Sequence, residues 1–143
     1  MNYTWVVKKT KQITVFSGCV LRDGKILMVL RNEPECVEAH LKWEFPGGKV
    51  DFGETPEESV RREILEETGV EVSVKDLIPW VGTSYWEYEW GTQQTLCFVY
   101  LCEFVSQKEV EKDHHVEKID WIPVEDIKEL PSLPGTNEVL TFL

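Results

Sequence analysis

The order of apolar runs and turns predicts one α+β domain of mixed or layered α/β/α type. Three observations carry this. Apolar, β-branched segments outnumber helical ones; the few helical patterns do not alternate with them as βαβ units; and 143 residues, 42% hydrophobic and 29% charged, suffice for one sizeable core. No internal repeat, low-complexity tract or Gly/Ser linker interrupts residues 1–143, which are therefore expected to form a single domain.

Ile13 to Leu21 is β-branched and apolar, Arg22-Asp23-Gly24-Lys25 carries a turn signal, and Ile26 to Leu30 resumes the apolar run, so the chain opens on a β-hairpin. A loop from Asn32 to Leu41 follows. Trp43-Glu44-Phe45 is a short extended piece stopped by Pro46-Gly47-Gly48, whose glycines allow a tight backbone path. The clearest local chemistry comes next. Thr55 suits an N-cap, Pro56 the first helical position and Glu58 the end of a T-x-x-E capping box, while Gly69 supplies a left-handed stop, which predicts a helix over Pro56 to Thr68. On its wheel Val60, Ile64 and Leu65 form an apolar sector beside an arc of Glu63, Glu66 and Glu67.

Beyond the helix the patterning predicts a strand at Val70 to Val74, an extended region from Ile78 to Trp90, a turn at Gly91-Thr92 and a strong strand from Thr95 to Val105. Ser106 to His115 reads as a loop and Ile119 to Val124 as a strand. A short helix from Val124 to Leu130, a turn from Pro131 to Gly135 and a closing helix from Asn137 to Leu143 complete the chain.

Fifteen Lys+Arg against 26 Asp+Glu give a net charge of −11. A field of that sign repels polyanions and excludes a basic nucleic-acid platform. The longest apolar run, around Ile26 to Leu30, is far short of the ~20 residues that span a bilayer. Met1 to Trp5 lacks a basic-then-apolar leader pattern, so a soluble, cytoplasmic protein without membrane or nucleic-acid partners is expected, with a homodimer left open. Cys19, Cys36, Cys97 and Cys102 show no C-x-x-C pair and no zinc spacing, and three of them lie in apolar, strand-like runs, which argues for small buried hydrophobes there and against a disulfide framework.

Between Asp51 and Glu67 seven acids face two arginines. Glu57 and Glu58 suit the positive end of the helix dipole and need no function. Glu66 and Glu67 sit at its negative end, where each costs about 0.3–1 kcal/mol. Glu63 adds like-charge pairs with both, at about 0.2–0.5 kcal/mol each. A sequence selected for helix stability alone places lysines there. The arrangement makes sense if a hard divalent cation, Mg²⁺ or Mn²⁺, sits among the carboxylates, with a backbone carbonyl of the Gly47-Gly48 turn as a further oxygen ligand. Arg62 either holds a glutamate in one rotamer or forms a plain surface ion pair.

Gly48, Glu54, Arg62-Glu63, Ile64, Glu66-Glu67, Gly69 and Val70 match, position for position, the Nudix box G-x5-E-x7-R-E-U-x-E-E-x-G-U, with U aliphatic. Trp43-Glu44-Phe45-Pro46-Gly47 also resembles MutT-type members. The resemblance implies the Nudix fold, a mixed sheet sandwiched between helices, and a magnesium- or manganese-dependent hydrolase cleaving a nucleoside diphosphate linked to another moiety. It casts Glu63, Glu66, Glu67 and the Gly47 carbonyl as metal ligands and Arg62 and Glu54 as residues that orient them. Which glutamate acts as base varies within the family. Related enzymes often supply a further glutamate ahead of the late-strand tryptophan, here Trp121; this sequence departs with Asp113-His114-His115-Val116-Glu117, leaving Asp113 or Glu117 for that role.

Within the resemblance, the expected substrate is a nucleoside triphosphate, cleaved to monophosphate and pyrophosphate. Trp43, Trp86, Tyr88 and Trp90 offer flat surfaces for a base, or else Trp86, Tyr88 and Trp90 form the core face of one strand. Arg31 is a candidate phosphate contact. Asn137 resembles a base-reading asparagine and equally an N-cap. Tyr85 replaces the proline of many ADP-ribose hydrolases, whereas Tyr88 keeps dinucleoside polyphosphates as the second choice, ahead of nucleotide sugars. A rival of another class is a catalytically silent module whose acidic face binds calcium or a basic protein; the intact box speaks against it.

Overall fold

The computed structural model describes residues 8–143, and the reading of Met1 to Trp5 lies outside them. Strand β1 (Lys9–Arg22) turns at Asp23-Gly24 into β2 (Lys25–Arg31). Both turn residues have positive φ, 51° and 75°, and Arg22 pairs with Lys25, which is the two-residue hairpin an Asp-Gly pair favours. β1 begins four residues before the apolar run because its exposed first residues pair in parallel with a later strand, Lys9 opposite Gly91.

After β3 (Trp43–Glu44) the chain does not simply turn. Gly47–Lys49 forms β4, antiparallel to β1, with Gly47 opposite Ser17 and Gly48 opposite Phe16. The glycines are needed for close approach, since a Cβ on Gly47 would lie 2.4 Å from the Phe16 carbonyl.

Helix α1 (Pro56–Thr68) forms as its caps dictate: the Thr55 hydroxyl accepts from the Glu58 N–H at 3.2 Å and Gly69 adopts φ 77°. Its buried stripe is Ser59, Val60, Ile64 and Thr68; Leu65, expected inside, is only half-buried. Strands β5 (Val70–Leu77), β6 (Gly82–Tyr88), β7 (Gly91–Gln107) and β8 (Val116–Pro123) follow. Pro79 lacks an N–H and breaks the expected Ile78 to Trp90 stretch, and the turn falls on Glu89-Trp90 rather than Gly91-Thr92, with Tyr88 opposite Gly91. The last helices are shorter than expected, α2 (Val124–Ile127) and α3 (Thr136–Leu140).

The sheet runs β3-β2-β1-β7-β5, with β4 on β1, β6 on β7 and β8 on β2. Alternation along the strands splits the core in two. Val20, Leu27, Tyr100 and Cys102 pack beneath Val60 and Ile64 of α1, while Cys19, Ile26, Met28 and Val99 pack with Ile127, Val139 and Leu140 of α2 and α3. The result is the helix/sheet/helix sandwich expected. The cysteines are unbridged, and burial pushes the thiols of Cys19 and Cys102 up to about 12. No helix among the described residues is long and apolar enough to cross a membrane.

Candidate active site

Helix α1 brings its carboxylates to β4, and β4 is where the sheet opens into a cleft of about 380 Å³. Alternate residues of the parallel pair β1 and β7, among them Val15, Ser17, Thr95 and Cys97, line it. Glu63, Glu67, Gly47 and Gly48 border one part, and Trp86 and Tyr88 stand on its wall.

Glu67 is held at this border by the Gly47 N–H, which donates to its Oε1 at 3.0 Å. Burial, with Glu44 adding like charge, pushes its carboxyl up to about 8 against that hydrogen bond. No described lysine or arginine forms an ion pair with it. Glu63 is likewise raised, chiefly by burial, and lies so close to β4 that a Cβ on Gly48 would come within 2.6 Å of its carboxyl carbon. Glu66 is different. Its side chain is 62% exposed and does not line the cleft, though Arg62 Nη1 reaches it at 3.3 Å.

Arg62 organises this end. Its Nε and Nη2 donate to the two oxygens of Glu54 at 2.7 and 2.9 Å, and Nη1 donates to Glu63 at 3.1 Å. Asp51 lies 3.3 Å away and the Lys49 carbonyl accepts at 3.4 Å. The fork raises the pKa of Arg62 and holds the Glu54 carboxyl below its ordinary value, helped by the Asp51 N–H.

Arg31 borders the cleft with its charge already engaged. Its Nε and Nη2 grip Glu44 at 3.1 and 2.7 Å and Nη1 reaches Glu33 at 3.4 Å. Burial works against the guanidinium charge and Glu44 more than restores it, so its pKa is raised. Glu44, raised by burial, and Glu33, whose Oε1 accepts from the Tyr88 hydroxyl at 2.9 Å, are site residues the sequence reading passed over. The only signal was the Glu beside Trp43, and an acid in a short strand has no periodicity to mark it.

Three expected contacts are corrected. Trp43 packs in the core with Cys19, Ile26 and Met28, because neighbouring strand residues point oppositely and Glu44 takes the cleft side. Trp90 is not in the core face of β6; it is 42% exposed in the turn, stacked on Tyr88 at 5.4 Å. Asn137 is not the N-cap: Gly135 caps α3, Thr136 and Val139 line the cleft one turn apart, and Asn137 is exposed and outside the lining. Of the late acids, Asp113 lines the cleft with His115, whereas Glu117 is exposed outside it. Asp113, His114 and His115 hold their polar atoms within 4.8 Å of one another on the surface.

The residues present fit a divalent cation. The donors at the α1 border are all oxygens, Gly48 leaves room that a side chain would fill, and Glu67 is a partly buried carboxylate with no cation of its own.

The fold and the family match together place the chain among hydrolases that act on diphosphate bonds. The chain belongs to the NUDIX family: the NUDIX domain matches residues 13–142. It is 28% identical over 128 residues to the uncharacterized Nudix hydrolase YvcI of Bacillus subtilis, covering 89% of this chain and 77% of that one. It is 37% identical over 62 residues to the 8-oxo-dGTP diphosphatase of Escherichia coli, covering 42% of this chain and only 46% of the relative's length. The crystal structure of a MutT NUDIX hydrolase from Burkholderia pseudomallei superposes with a TM-score of 0.75 at 28% identity, covering 93% of this chain and 98% of that one.

Proposed function

We propose that this protein hydrolyses a nucleoside triphosphate to the monophosphate and pyrophosphate, with Mg²⁺ or Mn²⁺ held by Glu63, Glu67 and Glu66 and by the Gly47 carbonyl. The observation that carries this is one cleft bordered by two unlike surfaces, the α1 carboxylates and the Trp86–Tyr88 wall. Phosphates cannot sit beside uncompensated glutamates, and a base has little to gain there; each surface suits one half of a nucleotide. The 8-oxo-dGTP diphosphatase likeness, limited to part of that relative, points to the same substrate class.

When bound, the cation offsets phosphate charge and polarises the phosphorus under attack. The chain's own residues supply the rest. Arg62 fixes Glu63 against Glu54, so the carboxylate presents one rotamer to the cleft. The Gly47 N–H fixes Glu67. Either Glu67 or Glu63 would take a proton from an attacking water in this reading, and Asp113 offers a further carboxylate in the same cleft.

The test is steady-state hydrolysis with Mg²⁺ of nucleoside triphosphates, dinucleoside polyphosphates and nucleotide sugars, read as phosphate after treatment with inorganic pyrophosphatase or a phosphatase. Pyrophosphate release from triphosphates at the highest kcat/KM is the expected result. Clear preference for a nucleotide sugar overturns the substrate while leaving the metal end intact, and no turnover on any of them returns the protein to the silent binding module.

A further inference from the structure

The part of the cleft beside Tyr88 contains a carboxylate with half of its capacity unspent. Glu33 lines the cleft, and its Oε1 accepts from the Tyr88 hydroxyl at 2.9 Å and from Arg31 Nη1 at 3.4 Å. Its Oε2 has no hydrogen-bond partner among the described residues. The residue is not loose. Its N–H donates to His40 Nδ1 at 3.0 Å, and its side chain is 20% exposed. Arg31 is engaged twice over, since Glu44 already takes its fork, so the group Arg31, Glu44 and Glu33 offers the cleft no free cation. A phosphate finds no unpaired positive charge there. This assigns Arg31 to holding Glu33 and Glu44 rather than to gripping substrate.

We propose that Glu33 is a specificity residue that reads the base of the nucleotide, and that it selects guanine-type bases. The inference rests on the nucleotide reading of the cleft given above. An ionised carboxylate only accepts, so it favours an edge of N–H donors and is repelled by an edge where a ring nitrogen or carbonyl oxygen faces it. Adenine and cytosine each place an acceptor nitrogen beside their amino group, and uracil flanks its one N–H with two carbonyls. Guanine alone sets an imino N–H and an amino group side by side. Trp86 and Tyr88 supply the flat wall next to Glu33, and the Tyr88 hydroxyl, by occupying Oε1, leaves Oε2 as the reading atom.

The test is calorimetric binding of GMP, IMP and UMP, which isolates base recognition from catalysis. IMP differs from GMP only in the missing amino group. The parent is expected to bind GMP about 10–100-fold more tightly than UMP and about 10-fold more tightly than IMP, the worth of hydrogen bonds to a charged acceptor. Glu33→Gln should erase most of the GMP advantage and leave UMP within about 2-fold. Glu33→Asp, which keeps the charge but withdraws it by one methylene, is the second variant and should fall between them. Equal affinities for the three nucleotides in the parent, or an equal loss of all three in both variants, overturns the proposal. Retained GMP preference in a protein that hydrolyses no triphosphate overturns the proposed reaction and leaves this assignment standing.

Discussion

Replacing Glu67 by Gln should stabilise the metal-free protein while abolishing activity. In the folded chain the carboxyl is pushed up to about 8 from an ordinary 4.5 by burial and by Glu44. The native state therefore binds a proton that the unfolded chain has released, and stability falls as pH rises from about 4.5 to about 8, then levels off. At pH 7 the protein is about 2.5 pH units above the unfolded midpoint, which corresponds to a cost of about 3 kcal/mol. Solvent reaching this partly open side chain lowers it to about 1–2 kcal/mol. Gln keeps an oxygen for the Gly47 N–H, now 3.0 Å from Glu67 Oε1, and removes the charge. In chelator at pH 7 the variant should melt about 3–8 °C above the parent. The gain should grow toward pH 8 and vanish below about pH 4.5, where the unfolded parent also keeps its proton. Thermal melts of both proteins from pH 5 to 9, with chelator and with Mg²⁺, measure this. Mg²⁺ should raise the parent's melting point more than the variant's, since a ligand that binds only the native state stabilises it by mass action. A variant that melts at or below the parent across the whole range, with the same pH slope, refutes the idea that Glu67 is a strained, uncompensated carboxylate.

Glu66→Gln should change the chelator melt by less than about 0.5 kcal/mol, because the side chain is largely exposed and already faces Arg62; its kcat with Mg²⁺ should still fall about 100-fold if it joins the metal. Gly48→Ala pushes a methyl against the movable Glu63 carboxyl, so kcat should drop about 10-fold or more while the melting point shifts by less than about 4 °C. Gly47→Ala instead meets the Phe16 backbone and should cost about 2–4 kcal/mol in a denaturant titration. Arg62→Lys cannot reproduce the fork on Glu54, and kcat should fall about 10-fold or more with little change in stability.

Local chemistry determined helix α1 completely. Thr55, Pro56 and Gly69 set its ends within the chain itself, so its limits and the clustering of Glu63, Glu66 and Glu67 were legible from spacing alone. The Asp23-Gly24 hairpin was equally local, since both residues tolerate positive φ. What the sequence left open depends on partners distant along the chain. Lys9 to Gln12 have no apolar pattern and become strand only because β7 lies beside them; Gly47 and Gly48 read as a turn but pair with Ser17 and Phe16. The three box glutamates looked equivalent on a wheel, yet β4 covers Glu63 and Glu67 and leaves Glu66 in solvent. Arg31 looked like a free cation until the fold set Glu44 and Glu33 against it. Helix limits follow from groups a few residues apart; burial and ion pairing, which decide what each carboxylate can do, arise only when segments tens of residues apart exclude water together.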